Sequence, residues 1–454
     1  MELSGKKILV VGLGKTGLAL TKFLKRQGSL LMISDARGRE ELESILNAES
    51  AAAFPPLIEG GGHTSDFFLQ ADLILVSPGI PLDLPPLWAA REKGIPIQGE
   101  LELFSRYCRT PIIAVTGTNG KTTTTALINE MLLEAGFSTF LGGNIGRPLV
   151  EYLLNGQDKD LVVAEISSFQ LDTTRHFCPR VGLLLNITED HLDRYPDFQG
   201  YIQSKTGLFR NQGEQDTAVL NWDDPLVRGF GAALKGPVYD FSRSESLSRG
   251  AYLDLDRLRL NLTGAPESYD LQAFPLPGVH NRENALAAVL GARLLGAAPE
   301  AVQRALERFK GFRHRLEWVA EVRGIQFFDD SKGTNVGAVV KALEGFSRPV
   351  ILIAGGRDKG GDYGPLKGLI REKVKALVLI GEAREKMRDQ LGDLTRTEWA
   401  DSLEAAVSRA FGQGIPGDVV LLSPGCSSFD MFRDYAQRGE VFQQAVRRLK
   451  NDYE

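Results

Sequence analysis

The sequence predicts a three-domain α/β protein: a Rossmann-like N-terminal domain over residues 1–98, a central P-loop ATPase-type parallel-sheet domain over 99–311, and a C-terminal Rossmann-like domain over 312–454. Three observations carry this. The 454 residues leave room for about three cores at roughly 150 residues each. Three successive segments alternate short β-branched runs with longer helical patterns, the signature of parallel α/β units. Two glycine-rich loops each sit between an apolar run and a helical pattern, where parallel folds bind phosphate.

In the first segment KKILVVG, LLMISD and ADLILVSPG read as buried strands, with the helix TGLALTKFLKRQG between the first two. Gly12-Leu13-Gly14-Lys15-Thr16-Gly17 follows the first strand, and Asp35 ends the second, close to the spacing of a dinucleotide fingerprint. Such glycines let backbone N–H groups approach an anionic diphosphate, and any nucleotide diphosphate could use the cradle; a purely structural tight turn is the alternative.

The second segment opens with PIIAVTG, continues through LVVAEIS and VGLLLNIT, and closes with NRENALAAVLGARLLG, a helix apolar on nearly every face and so expected to be buried. Gly117-Thr118-Asn119-Gly120-Lys121-Thr122-Thr123 lies between its first strand and a helix. Val115 stands where the full G-x-x-x-x-G-K-[ST] motif has its first glycine, so only the G-K-T end is intact. Turn amides and the Lys121 ammonium suit β- and γ-phosphates, and the Thr122 hydroxyl suits Mg²⁺. A structural turn with a solvated lysine is the alternative. Glu165 ends LVVAEIS at the sheet edge where ligands sit, and can ligate Mg²⁺ or simply be a hydrogen-bonded strand end. His191, beside Asp190 and Asp193, reads on its own as a structural loop histidine, and Lys205 as a solvated helix lysine. Asn281 and Asn284, one helical turn apart, read as capping residues.

The third segment carries GIQFFDDS, PVILIAGG, KALVLIG and DVVLLSPG as strands, with helices such as SLEAAVSRAF between them. The basic stretch Lys310, Arg313, His314, Arg315 falls at the second boundary, where a hinge or anion site is expected.

Composition excludes other classes. Hydrophobic residues are 43% and charged residues 24%, so the chain folds, and a net charge of −5 offers no footprint for nucleic acid. Cys108, Cys178 and Cys426 form no C-x-x-C pair, which argues against disulfides and thiolate zinc and for a reducing compartment; five scattered histidines argue against a zinc hydrolase. The run after Lys6 and Lys7 is broken by Gly12, Gly14 and Lys15, unlike a signal peptide, and no apolar stretch of about 18 residues suggests a membrane span. A cytoplasmic location is expected.

Two cradles in one chain suit an enzyme that holds a nucleotide-linked substrate in one domain and ATP in the next. GTNGKTTT, GGNIG (142–146), AEISSFQL (164–171), NITEDHLDRYP (186–196) and GVHNRENALAA from Gly278 together resemble the Mur ligases, ATP-dependent amide ligases of peptidoglycan precursor synthesis. DDSKGTN (329–335), GGRDKG (355–360) and SPGCSSFD (423–430) are similar to the branch that adds D-glutamate, with Gly333 and Gly425 where alanine is the expected residue.

The resemblance implies substrates, cofactors and roles. UDP-N-acetylmuramoyl-L-alanine would lie on Gly14, Lys15, Thr16, Asp35, Arg37, Gly79, Asn144 and His191. ATP would lie on Gly117 through Thr123 with Asn281, Asn284, Arg315 and Asp330. Lys121, Glu165, His191 and Lys205 would be catalytic, and two Mg²⁺ ions would be held by Thr122, Glu165, His191 and Lys205, the last as a carbamate formed with CO₂. D-Glutamate would meet Lys332, Thr334, Lys359, Ser428 and Phe429; loops after parallel strands are where cationic and hydroxyl groups reach its two carboxylates, with solvated lysines as the alternative. A monomer with no nucleic-acid or membrane partner is expected. Three rivals remain at this point. A related folylpolyglutamate synthase is not expected to carry GLGKTG or DDSKGTN, an NAD-dependent oxidoreductase leaves Lys121 and Thr122 without a role, and a nucleotide sensor would bind ATP without turnover.

Overall fold

The computed structural model describes residues 2–48, 57–191, 194–276, 278–358, 360 and 362–453. Every apolar run read as a strand forms one, because β-branched runs of four to seven residues bury both faces only inside a sheet covered by helices. The first sheet contains β1 (Lys7–Val11), β2 (Leu30–Asp35), β3 (Leu57–Gly60), β4 (Leu73–Val76) and β5 (Ile97–Gly99), parallel in the order β3-β2-β1-β4-β5. The order reverses between β1 and β4, so a crevice opens at their carboxyl ends. Its core places Ile8 and Val10 against Ala19, Leu20, Phe23 and Leu24 of the helix Lys15–Arg26.

The second sheet has nine strands: β6 (Ile112–Thr116), β7 (Thr139–Gly143), β8 (Leu161–Glu165), β9 (Val181–Leu184), β10 (Thr217–Asn221), β11 (Val238–Ser242), β12 (Gly250–Asp254), β13 (Arg257–Asn261) and β14 (Glu267–Asp270). Their order is β14-β13-β12-β11-β10-β9-β6-β8-β7. Pairing is parallel from β7 to β12, and then the β12/β13 hairpin turns antiparallel, an extension the apolar runs did not announce. The helix Val279–Leu294 is buried through Ala285–Leu290, as its all-round apolar character predicts.

The third sheet contains β15 (Glu317–Val322), β16 (Ile325–Asp329), β17 (Val350–Gly355), β18 (Val374–Ile380), β19 (Arg396–Trp399) and β20 (Val419–Leu422), in the order β15-β16-β20-β17-β18-β19. Only the β15/β16 pair is antiparallel. The chain divides into two compact units, Met1–Tyr269 with Leu286–Ala305, and Asp270–Ala285 with Leu306–Glu454. Among the described residues no helix is long and apolar enough to cross a membrane, and the three cysteines are free thiols.

Candidate active site

In the first unit, β6 has β8 on one side and β9 on the other, so the loops after these three strands emerge at one edge. Val115 lies inside β6, paired with Glu165, which leaves Gly117–Gly120 as a short turn feeding the helix Lys121–Glu134. Gly120 at its N-cap has no side chain to satisfy the first-turn amides, which therefore suit an anion. Asn186, after β9, clamps the turn: its side-chain oxygen accepts the Asn119 N–H at 2.8 Å, its amide donates to Asn119 O at 3.1 Å, and its own carbonyl accepts the Thr118 N–H at 2.9 Å. The Lys121 ammonium donates to the carbonyls of Gly117 and Thr118, both at 2.8 Å. Thr122 and Thr123 are largely buried in the first turn.

Lys205 is not the solvated helix lysine that its local sequence suggests. It is 2% exposed, donates to the same Gly117 carbonyl at 2.8 Å and lies 4.5 Å from the centre of the Tyr201 ring. Burial, reinforced by the nearby Lys121 charge, holds its amine well below the usual lysine range. Glu165 is 1% exposed; its Oε1 accepts from Asn144 Nδ2 at 2.7 Å, while its buried Oε2 has no hydrogen-bond partner among the described residues. A buried carboxylate oxygen without a donor beside a phosphate-type turn is the donor set a hard cation needs, so Mg²⁺ fits these residues. His191 takes a left-handed backbone, φ +56°, and its ring lies edge-on to Phe169 at 4.8 Å. Asp193 lies outside the described residues.

The other cradle lies at the β1/β4 crevice. A Cβ on Gly17 would sit 2.1 Å from Gly12 O, so only glycine lets the helix Lys15–Arg26 start this close to β1. Gly14 caps that helix, with Lys15 exposed and Thr16 partly so. Asp35 does not offer a free carboxylate to a ribose: Oδ2 accepts the Leu13 N–H at 2.7 Å, and the Arg37 guanidinium binds both oxygens at 2.9 and 2.8 Å, which holds the carboxyl well below its usual range. Gly79 is exposed beyond β4. A cleft within this unit is lined by Val76, Ser77, Ile80 and Leu82 on one side and Phe169, Asp172, Thr173 and Arg194 on the other.

The second unit gathers the remaining candidates. Asn281 and Asn284 are buried, with the Asn284 amide donating to Asn281 Oδ1 at 3.3 Å, and Arg315 lies near enough to Asp330 to act on its charge. Burial pushes the Asp330 carboxyl up to about 7, against the pull of the Ser423 hydroxyl, which donates to it at 2.7 Å. His314 does not belong to an open basic patch: it is buried, with Nδ1 2.7 Å from Asp329. Loops after β16, β20 and β17 meet at one sheet edge. Gly425 N–H donates to Gly333 O, and Arg357 N–H donates to Ser427 O. Gly425 has φ +67°, and a Cβ on Gly333 would lie 2.4 Å from Asp330 Oδ2, so the backbone here is built around glycine where alanine was expected. The Lys332 ammonium is 3.8 Å from the Tyr435 ring centre, Thr334 is partly buried, Ser428 is 2% exposed and Phe429 is 62% exposed. Lys359 lies outside the described residues.

Sequence reasoning missed Asn186, Arg194 and above all Arg438. The last is fully buried in the helix Tyr435–Tyr453 and donates to Ser331 Oγ and to the carbonyls of Ser331, Cys426 and Ser427. The only signal for Asn186 was its place inside the NITEDHLDRYP motif; Arg438, 107 residues from Ser331 in the β16 loop it holds, had none.

Three family profiles match in chain order: the Mur ligase MurD-like N-terminal domain over residues 6–99, the Mur ligase middle domain over 115–292 and the Mur ligase glutamate ligase domain over 314–426. A UDP-N-acetylmuramoylalanine–D-glutamate ligase of Geotalea daltonii is 48% identical over 450 residues, covering 99% of each chain. An enzyme of the same name from Geotalea uraniireducens is 47% identical over 449 residues, again 99% of each. Among solved structures, a pseudomurein peptide ligase type C from Methanothermus fervidus shares the fold at TM-score 0.62 and 19% identity, covering 98% of this chain and 100% of that one. A UDP-N-acetylmuramate-alanine ligase from Thermotoga maritima does so at TM-score 0.60 and 21% identity, covering 98% and 99%. With matching profiles at all three segments and relatives of nearly half identity along its whole length, the chain belongs to the Mur ligase family.

Proposed function

We propose that the protein is an ATP-dependent, ADP-forming ligase that joins D-glutamate to UDP-N-acetylmuramoyl-L-alanine in peptidoglycan precursor synthesis. The observation that carries the reading is the convergence of the Gly117–Lys121 turn, the donor-free oxygen of Glu165 and the buried Lys205 at one sheet edge, in a chain whose full-length relatives bear that enzyme's name. The turn amides and Lys121 hold the ATP phosphates, with Asn281, Asn284, Arg315 and Asp330 meeting the nucleotide. The terminal carboxylate of the UDP-linked substrate takes the γ-phosphoryl group and becomes an acyl phosphate, and ADP departs. The D-glutamate amine adds to that carbonyl, and the tetrahedral intermediate expels phosphate to leave the amide. No protein nucleophile is needed; placement and charge neutralisation do the chemistry.

Mg²⁺, two ions on this reading, would be held by Thr122, Glu165, His191 and Lys205 as a carbamate, and would supply charge neutralisation at phosphate oxygens. The UDP-linked substrate lies on Gly14, Lys15, Thr16, Asp35, Arg37, Gly79, Asn144 and His191. D-Glutamate takes Lys332, Thr334, Lys359, Ser428 and Phe429. The domains are 1–98, 99–311 and 312–454, and the enzyme works as a cytoplasmic monomer. Phosphate release from ATP tests the whole reading. It should require UDP-N-acetylmuramoyl-L-alanine and D-glutamate together, fail with D-alanine, L-lysine or meso-diaminopimelate, and vanish in Lys121→Ala. Equal turnover with another amino acid, or parent-like turnover in Lys121→Ala, would overturn it.

A further inference from the structure

The loop after β4 supports the glycine cradle from below: Ser77 Oγ donates to Gly12 O at 2.7 Å, Ile80 N–H donates to Ser77 O at 3.0 Å, and the Ile80 side chain packs where a Cβ on Gly12 would come within 3.0 Å of it. Arg194 reaches this loop from the second sheet. Its guanidinium donates to Ile80 O at 3.1 Å and to Gly79 O at 3.3 Å, with its carbon 4.6 Å above the centre of the Phe169 ring. The same Phe169 ring meets His191, whose backbone is left-handed and whose carbonyl accepts the Arg194 N–H at 2.9 Å. One residue thus joins the floor of the sugar-nucleotide cradle to His191 and its Phe169 neighbour, and it also forms part of the wall of the cleft between them.

We propose that Arg194 is a positioning residue for the ligase reaction: its planar fork on two consecutive carbonyls, stacked on Phe169, sets the cradle that holds one end of the UDP-linked substrate at a fixed separation from the phosphate loop where the other end reacts. The proposal rests on the ligase reading above. Only a planar, delocalised cation donates to two carbonyls while lying flat on a ring; an ammonium on a flexible stem does neither together. A substrate anchored at one end and reacting at the other loses rate when that separation is loose, while groups that bind elsewhere are unaffected.

The test uses the full chain. In Arg194→Ala, kcat for phosphate release should fall at least about tenfold, while KM for ATP and for D-glutamate, and the affinity for UDP alone, stay within about twofold of the parent. Arg194→Lys should remain within about threefold of the alanine variant. Phe169→Leu, which removes the ring but keeps an apolar side chain, should lower kcat, and adding it to Arg194→Ala should cost almost nothing more, because the two act as one unit. Independently of activity, hydrogen exchange of the Ile80 amide should quicken about tenfold or more in Arg194→Ala. A kcat within about twofold of the parent, a parallel rise in all three KM values, full recovery in Arg194→Lys, additive losses in the double variant, or unchanged Ile80 exchange would each overturn the proposal. A parent that releases no phosphate with D-glutamate would instead refute the ligase reading, and Ile80 exchange would still decide the clasp.

Discussion

Replacing Glu100 by glutamine should make the protein more stable at alkaline pH, an unusual direction for a core substitution. Glu100 begins the helix Glu100–Tyr107 and is 1% exposed. Its Oε1 accepts the Val150 N–H at 2.8 Å, and its buried Oε2 has no hydrogen-bond partner among the described residues. Burial pushes its carboxyl from the usual 4.5 up to about 7, with the amides of Val150 and Leu149 pulling the other way and the Glu151 charge adding a little. The unfolded chain gives up this proton near 4.5 and the folded chain holds it to about 7. The unfolded state therefore gains from ionisation first, and the stability present below 4.5 is lost as pH rises through about 7. Moving a carboxyl that far corresponds to about 3 kcal/mol. Glutamine copies the protonated carboxyl: its oxygen still accepts from Val150, and its amide stands where the unpartnered hydroxyl stood. Urea unfolding of Glu100→Gln and parent, compared at several pH values so that titrations elsewhere cancel, should differ by about 1 kcal/mol or less near pH 5. By pH 8 the variant should lead by about 3 kcal/mol. A difference that stays flat across that range would mean that Glu100 is ionised in the folded protein, and the burial argument would fall.

Two further expectations concern the site. The buried Lys205 amine, its hold on a proton weakened by burial, is a nucleophile for CO₂ in its unprotonated form, forming an N–C bond and releasing one proton to leave a carboxylate; ¹³C-bicarbonate should give a carbamate carbon resonance in the parent and none in Lys205→Arg, and its absence from fully active parent enzyme would refute the modification. Arg438→Met strips the donor from two buried carbonyls, of Ser331 and Cys426, while Ser427 O keeps the Arg357 N–H, so it should cost about 2 kcal/mol or more by thermal unfolding and raise KM for D-glutamate with KM for the UDP-linked substrate unchanged; an undiminished melting temperature would show that the loops hold without it.

The strands, the glycine cradles and the Gly117–Thr123 turn were legible because each is written locally. An apolar run of five residues has few ways to be buried, and a glycine turn between strand and helix exposes amides whatever surrounds it. Glu165 was legible for the same reason, as a carboxylate at a strand end. The nine-stranded extent of the second sheet was not, because residues 217–270 form short strands with weak alternation and an antiparallel hairpin.

By itself the amino-acid sequence determined where the long apolar strands and the glycine turns after them lie, and through its motifs the family. Only the tertiary structure decided what Lys205, Asn186, Glu100, Arg194 and Arg438 do. Lys205 reads as a surface lysine on its own helix, and becomes a buried amine because β9 and β6 lie side by side, which brings its helix over Gly117, 88 residues away. Arg438 likewise acquires its role from the adjacency of β16 and β20. Hydrophobic periodicity sets burial along one element at a time, whereas a polar side chain's partners and its protonation depend on which strand ends the topology makes neighbours.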